Sequence, residues 1–556
     1  MNISKPLRRV ILLELSIPLA LLSIGIFEGL AQVIYRSGMI HQASFAGTDY
    51  YQGLTLHGVI NAIVLTTFFA VAFGHATIAY FLKREPSAKL AMLSFVIMLT
   101  GTLLAAYAML SGKASVLYTF YPPLKAHVTF YLGAALIIVG SWIPFFDWVS
   151  IYIKWRKENK DVKMPIAVLG TLVNFTVWFV CSLSVAYEVI ILLIPWSVGF
   201  TETVNVTFAR TLFWFFGHAL VYFWLLPSYI MFYTFLPKIA GGKLYSDNAG
   251  RIVFLMFLLL SIPVGVHHQF SDPNISRGVK WVHSMLTFGI VIPSFITAFT
   301  LAASLEYAGR KRGAKGLLNW LTHLPYFQKD NFLFGYLICG LILFIFGGLT
   351  GIVNASYSLN NMVHNTAYQP GHFHMTVAGP VFLAILGMSM YLIKELTGKK
   401  IQLPVFNTMV PYLWVIGLLT FSTGLIWGGL IGEPRRTNLG MTYLNPESNL
   451  YHPQWVNDTT ITLFGGIIMF IAGVMFLSSF FMTLFSKKIS ESKLDFPVSE
   501  SLHVEKRIGI IDRFGPWLIV MFVLILLAYV PALMDVFKYS GPGSPAFLPD
   551  NPIPLK

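Results

Sequence analysis

Four short stretches carry the side chains that can do chemistry. They are "LTLHGVIN" with His57, "FWFFGHALVYFW" with His218 and Tyr222, "PVGVHHQF" with His267 and His268, and "PGHFHM" with His372 and His374. All four lie in apolar sequence. An imidazole taken out of water without a partner is costly, so each of these rings needs one. A metal ion, a heme iron or a hydrogen bond to a neighbouring helix can serve.

Spacing separates these possibilities. Residues two apart on a helix diverge by about 200° around the axis. His372 and His374 therefore point to opposite sides, too far apart to share one metal but able to hold two cofactors flanking one helix, with Phe373 between them. His267 and His268 are adjacent at a segment end, where about 100° of separation and fraying let both turn toward one ion. His218 can supply a third imidazole. Three neutral imidazoles suit copper, and also zinc or iron. Tyr222 follows His218 by four residues, on the same face, where a phenol can donate a proton and an electron. Tyr229 and Tyr233 continue that stripe, and Ser294, Thr297 and Thr300 form a second one at i, i+3, i+6. Hydroxyl stripes often only glue helices together, but one that ends at a metal-side tyrosine suits a proton wire. His75 and His127 are expected to be ordinary helix–helix contacts. His41, His323, His452 and His503 fall in or near loops.

The elements that position these residues are membrane spans. The 556 residues are 56% hydrophobic and 11% charged, far from the charged quarter of a soluble protein. Thirteen apolar segments are long enough to cross a bilayer: 9–34, 54–82, 89–111, 125–153, 164–194, 203–236, 251–268, 280–306, 331–354, 370–393, 407–431, 458–485 and 514–536. The seventh is about the shortest that can span. With the N-terminus inside, inner loops hold 28 of the 38 Lys and Arg and outer loops nine, with Arg210 inside a span. This asymmetry predicts N-inside and C-outside. The net charge of +14 then reflects topology and gives no reason to expect nucleic acid. The fold expected is an all-α polytopic bundle forming one domain over 1–556, with a catalytic core at about 9–440 and additional helices at 458–485 and 514–536. In this topology all six singled-out histidines share the outer half of the membrane. Cys181 and Cys339 sit on different helices and are expected to be plain core residues. Arg435 and Arg436 stand together in a cation-poor outer loop, where they suit ligand carboxylates.

His57, "GHALVY", "HH" and "PGHFH", in that order and on segments 2, 6, 7 and 10, resemble subunit I of the heme-copper terminal oxidases. The likeness runs from about the first segment to the Arg435–Arg436 loop. It implies that His57 and His374 are axial ligands of a low-spin heme and that His372 is the proximal ligand of a high-spin heme. It implies that His218, His267 and His268 hold copper, and that Tyr222 is covalently joined to His218. Arg435 and Arg436 would pair with heme propionates, His364 would lie above the high-spin heme, and Phe373 would bridge the two hemes. The absence of an acid at 219–221, and the set Tyr222, Tyr229, Tyr233, Ser294, Thr297, Thr300 with Ser246, resemble the single proton channel of the B-type branch, whose ba-type members carry heme B and a heme A variant. Some B-type members have an aspartate where this chain has Asn360. The resemblance leaves Glu188, a buried acid in the fifth segment, without an assigned role.

The implied activity is four-electron reduction of O2 to water, with proton uptake and pumping, in a bacterial or archaeal inner membrane. No paired cysteines are present for a dinuclear copper centre, so that site would belong to a subunit II fed by cytochrome c, with a small single-helix subunit as a further partner. A quinol-fed oxidase and nitric-oxide reductase are the near alternatives. A cofactor-free proton-coupled transporter is the rival from another class, though no internal repeat supports it.

Overall fold

In a computed structural model, which describes residues 1–503, 508–541 and 543–545, the chain forms thirteen principal helices in the expected order. They are α1 (Lys5–Arg36), α2 (Tyr50–Leu82), α3 (Ala88–Leu110), α4 (Val128–Glu158), α5 (Ile166–Ser197), α6 (Val206–Thr234), α7 (Asp247–Leu260), α8 (Arg277–Lys311), α9 (Phe332–Ala355), α10 (Tyr368–Thr397), α11 (Pro404–Leu430), α12 (Val456–Phe485) and α13 (Phe514–Tyr539). Strands among the described residues are two- or three-residue pairings in connecting segments. The helices pack as sequence neighbours, α3 along α4 and α11 along α12. Small residues permit close crossing: a Cβ on Gly101 would lie 2.6 Å from the Gly133 carbonyl of α4. Large rings such as Phe68, Trp148 and Trp178 fill the interior, while Leu103, Phe295 and Leu526 face outward, as a lipid-exposed surface requires.

Twelve of these helices are long and apolar enough to cross a membrane. The exception is α7. Its 14 residues rise only about 21 Å, against about 30 Å of hydrocarbon. The expectation that segment 251–268 runs as one helix with the histidine pair at its end is therefore corrected. Pro263 disfavours the helical conformation at the residue before it and has no N–H of its own. The chain leaves the helix at Ser261 and re-forms a short, tighter 3₁₀ turn at Gly265–Gln269.

Three spans contain a widened turn with i→i+5 bonding: Val59–Val64 in α2, Glu188–Leu193 in α5 and His374–Val381 in α10. The last contains Gly379, at φ −82° and ψ −106°, followed by Pro380, and proline at this place accounts for the lost regular bonding. Such turns recur at functional sites. Two of these three lie directly beside candidate ligands, His57 and His374.

Candidate metal and heme site

Residues from α2, α6, the 265–269 turn, α8, α9 and α10 enclose a cavity of about 560 Å3. His57, His218, His267, His268, His372 and His374 all line it, with Tyr222, Phe373, Ser294, Arg435 and Arg436. The six histidines gathered by depth in the sequence thus share one space.

His218, His267 and His268 bring three ring nitrogens within 4.8 Å of one another. The neighbouring bonds decide which nitrogens are free. Nδ1 of His267 lies 2.8 Å from the Thr287 hydroxyl, and that hydroxyl donates to the His283 carbonyl at 2.6 Å. The threonine oxygen is therefore the acceptor, His267 carries its proton on Nδ1, and Nε2 faces the cluster. His218 turns Nε2 toward the Tyr222 hydroxyl at 3.1 Å and Nδ1 toward His268 Nε2, also at 3.1 Å. The His268 ring stacks on Trp214, with centroids 3.7 Å apart at 11°. Three imidazole nitrogens, two of them on buried rings, converge without a carboxylate or thiol among them and fit a copper ion well, and the second-sphere donors fix their orientation.

The helix α10 pair behaves as the spacing predicts. Nδ1 of His372 donates to Thr350 of α9 at 3.0 Å, and the threonine hydroxyl in turn donates to the Gly347 carbonyl at 2.9 Å. His374 points elsewhere. Its ring lies parallel to that of His57, with centroids 6.1 Å apart and planes at 17°. Two imidazole nitrogens each about 2 Å from one metal would place the ring centres about 6 Å apart. Nδ1 of His57 donates to the Gly25 carbonyl at 2.8 Å and Nδ1 of His374 to the Pro370 carbonyl at 2.7 Å. The two Nε2 atoms are thereby left free to act as ligands. Gly29 and Gly351 complete the cradles: a Cβ would come to 2.8 Å from His57 and 3.0 Å from His372. Phe373 lies parallel to Tyr118 at 6.1 Å and edge-on to Trp224 at 5.9 Å, which holds it between the two sides of α10.

At one mouth of the cavity Arg435 donates to Asn365 Oδ1 at 2.7 Å, while Arg436, in the left-handed region at φ +56°, lies over the Tyr121 ring. Burial first, and Arg436 next, lower the Arg435 guanidinium to about 9. A crowded cation pair with a neutral amide as partner fits anionic carboxylates. Nδ1 of His364 bonds Asn360 Oδ1 at 2.9 Å, and Asn360 Nδ2 donates to the Asn354 carbonyl. Burial, then Arg435, hold His364 down to about 4. Arg210 stands in the first turns of α6 in a two-pronged ion pair with Asp272, at 2.8 and 2.9 Å.

The hydroxyl stripes meet at one point. Tyr233 donates to Thr297 at 2.9 Å. The Tyr229 hydroxyl is buried without a protein partner, and the Phe257 ring packs between it and Tyr222. Thr300 is buried on the same face, and Ser294 lines the cavity. Ser246 accepts from the Ala249 N–H at 3.2 Å, as the N-cap of α7. Ser304, four residues past Thr300, extends the stripe and bonds the Tyr245 N–H at 2.9 Å. A step of four from Thr300, the other helical neighbour spacing, finds it in the sequence.

Other histidines divide. His75 receives the Trp148 indole N–H at 3.1 Å, a helix–helix contact. His127 makes no hydrogen bond to another helix: it is exposed, meets Tyr107 of α3 edge-on at 6.4 Å, and caps α4 by accepting from the Thr129 N–H. His283 escaped sequence reasoning. It is buried behind His267, with Nδ1 accepting from the Val266 N–H at 3.4 Å. Glu188 is buried with both carboxyl oxygens unpartnered, at the start of the widened turn of α5. Cys181 and Cys339 are buried and free.

Comparison with known proteins gives one answer. The sequence model of the family described as cytochrome C and quinol oxidase polypeptide I matches residues 9–468. Cytochrome c oxidase subunit 1 of Thermus thermophilus is 42% identical over 501 residues, covering 89% of this chain and 88% of that protein. Cytochrome c oxidase polypeptide 1 of Halobacterium salinarum is 28% identical over 412 residues, covering 69% and 65%. A solved structure described as a heme-copper terminal oxidase dimer superposes with a TM-score of 0.97 at 46% identity, over 99% of this chain and 97% of that one. The convergent imidazoles and the sequence agree, and the chain belongs to the cytochrome c and quinol oxidase polypeptide I family: it is a multi-pass membrane subunit of the heme-copper type, an O2-reducing oxidoreductase.

Proposed function

We propose that this chain is the catalytic subunit of a B-type oxidase taking electrons from cytochrome c through a partner copper subunit. The observation that carries the proposal is the cluster of His218, His267 and His268 in the cavity that His372 also lines, with the Tyr222 hydroxyl 3.1 Å from His218. His218, His267 and His268 would hold copper, His372 a high-spin heme, and His57 with His374 a low-spin heme. Bound there, these groups supply electron relay and the four-electron reduction of O2.

The protein's own side chains do the rest. Thr287 and Thr350 fix the tautomers of His267 and His372, so that ligand nitrogens are deprotonated and aimed before any ion arrives. Tyr222 stands ready to give up a proton and an electron beside the copper ligand. Arg435 and Arg436 would neutralise propionates, and the apolar walls admit O2 while excluding bulk water. Tyr233 and Thr297 would pass protons from the basic, N-terminal side, with water completing the step at Tyr229. Asn360 cannot carry a proton as an acid would, which leaves His364, a propionate or ordered water to hold the pumped one. The basic-loop asymmetry supports an N-inside, C-outside orientation in a bacterial or archaeal inner membrane.

Nitric-oxide reductase requires acids beside the metal. Among the described residues no Asp or Glu joins the three-histidine cluster, and a tyrosine stands at its edge. Elemental analysis of the purified complex checks this: one copper per catalytic chain beyond the partner subunit's own copper is expected, and a non-heme iron in its place would sink the oxygen-reduction reading. Pyridine hemochrome analysis of the same sample is expected to give two different hemes, one of B type.

The proton path gives a separate expectation. Thr297→Val removes the hydroxyl that receives Tyr233 and should slow steady-state turnover by about tenfold or more. Proton-uptake kinetics after a flash provide the check. A variant taking up protons at the parent rate would show that protons enter elsewhere.

A further inference from the structure

The family match ends at residue 468, yet α13, residues 514–539, is bonded to the segment that carries two of the three clustered imidazoles. The Gly265 N–H donates to the Tyr529 hydroxyl at 3.1 Å. The Val266 N–H donates to His283, whose Nε2–H donates onward to the Ala528 carbonyl at 3.0 Å. The Ser276 N–H, where α8 begins, donates to Asp535 at 2.9 Å. One face of α13 therefore grips both ends of the 265–276 segment.

Tyr529 is well placed for this. Its ring packs against Phe215 of α6 at 4.6 Å and His283 at 5.1 Å, and its hydroxyl reaches the backbone two residues before His267. Gly265 admits it: a Cβ there would lie 2.4 Å from the Tyr529 oxygen and 2.1 Å from the Trp214 carbonyl. The break at Pro263 has removed helical support from this turn, and a buried backbone N–H without an acceptor is costly. The hydroxyl supplies the acceptor the helix no longer can.

We propose that α13 is a positioning element of the three-histidine site, and that Tyr529 is the residue that sets the backbone from which His267 and His268 project. The proposal rests on these histidines holding copper. Neither Tyr529 nor Asp535 lines the cavity that holds the three imidazoles; both act through the turn.

The test uses the complete purified oxidase complex. Tyr529→Phe keeps the ring and deletes the acceptor. The copper of the three-histidine site, followed by its carbon monoxide infrared band, should then be lost to an added chelator about tenfold faster than from the parent, the usual scale for removing a group behind a metal ligand. The infrared band of carbon monoxide on copper after photolysis should shift or broaden, while the low-spin heme spectrum stays unchanged. Leu527→Ala, on the outward face of α13, should match the parent in both readouts. A Tyr529→Phe protein with parental copper retention and parental infrared band overturns the proposal. Asp535 tests it independently of Tyr529. Asp535→Asn keeps an acceptor for Ser276 and should retain copper, whereas Asp535→Ala should release it faster; equal release from the two also overturns it. If the parent complex itself gives no carbon monoxide band of copper, it is the ligand reading that fails.

Discussion

His372→Ala is expected to abolish the high-spin heme signal and the binding of carbon monoxide to heme while leaving the low-spin heme in place, and His374→Ala to do the reverse. The reason lies in where each ring is anchored. Thr350 of α9 fixes His372, whereas the Pro370 carbonyl fixes His374 so that its free nitrogen faces His57 of α2. Removing either ring deletes one axial donor and leaves the other side of α10 intact. Because Phe373 is held by Tyr118 and Trp224 as well as edge-on by His374, the bridge between the two sides should survive both changes. Optical spectra of reduced and carbon monoxide-treated protein give the readout. Should both substitutions remove the same heme and spare the other, the two-sided arrangement is wrong.

Tyr222→Phe should lower oxygen consumption by at least about a hundredfold, within the range expected when a proton donor is removed from the reacting centre. Both hemes and copper should be retained. The phenol contributes one buried hydroxyl directed at His218, and the ring itself remains packed on Phe257. The loss should therefore be chemical and not structural. An oxygen electrode, with heme and copper quantified on the same preparation, separates the two. A fully loaded variant keeping more than about a tenth of the parent rate would remove Tyr222 from the chemistry.

The candidate site was legible because burying a histidine in an apolar span is expensive enough that six at one depth need a common cause. The 200° divergence of His372 and His374 was equally plain, since it depends on helix geometry alone. The break in α7 was harder to see. Pro263 and Gly265 stand in "SIPVGVHH", but a hydropathy window averages over them and the run still looks long enough to span. The donors behind the ligands, Thr287 and Thr350, carry no sequence signature: a threonine in a span usually bonds its own helix, as both of these also do. His283 had no neighbouring histidine to mark it. The role of α13 was illegible for a different reason, because its bonds reach across more than 240 positions, and no local pattern encodes a contact of that range. Ser246 belongs to the proton set through the family resemblance, and its hydroxyl also caps the first turn of α7, a bond that no spacing in the sequence marks.

The short α7 has a consequence for how this chain can vary. A continuous helix absorbs an inserted residue by rotating everything beyond it, and lipid-facing spans tolerate such slippage at modest cost. Between Pro263 and His267 there is no helix to absorb it. One residue more or less would swing both imidazoles by about a third of a turn and detach Gly265 from its pocket under Trp214. The spacing from the proline to the histidine pair is thus a ruler, and the site requires its length as well as the glycine at 265.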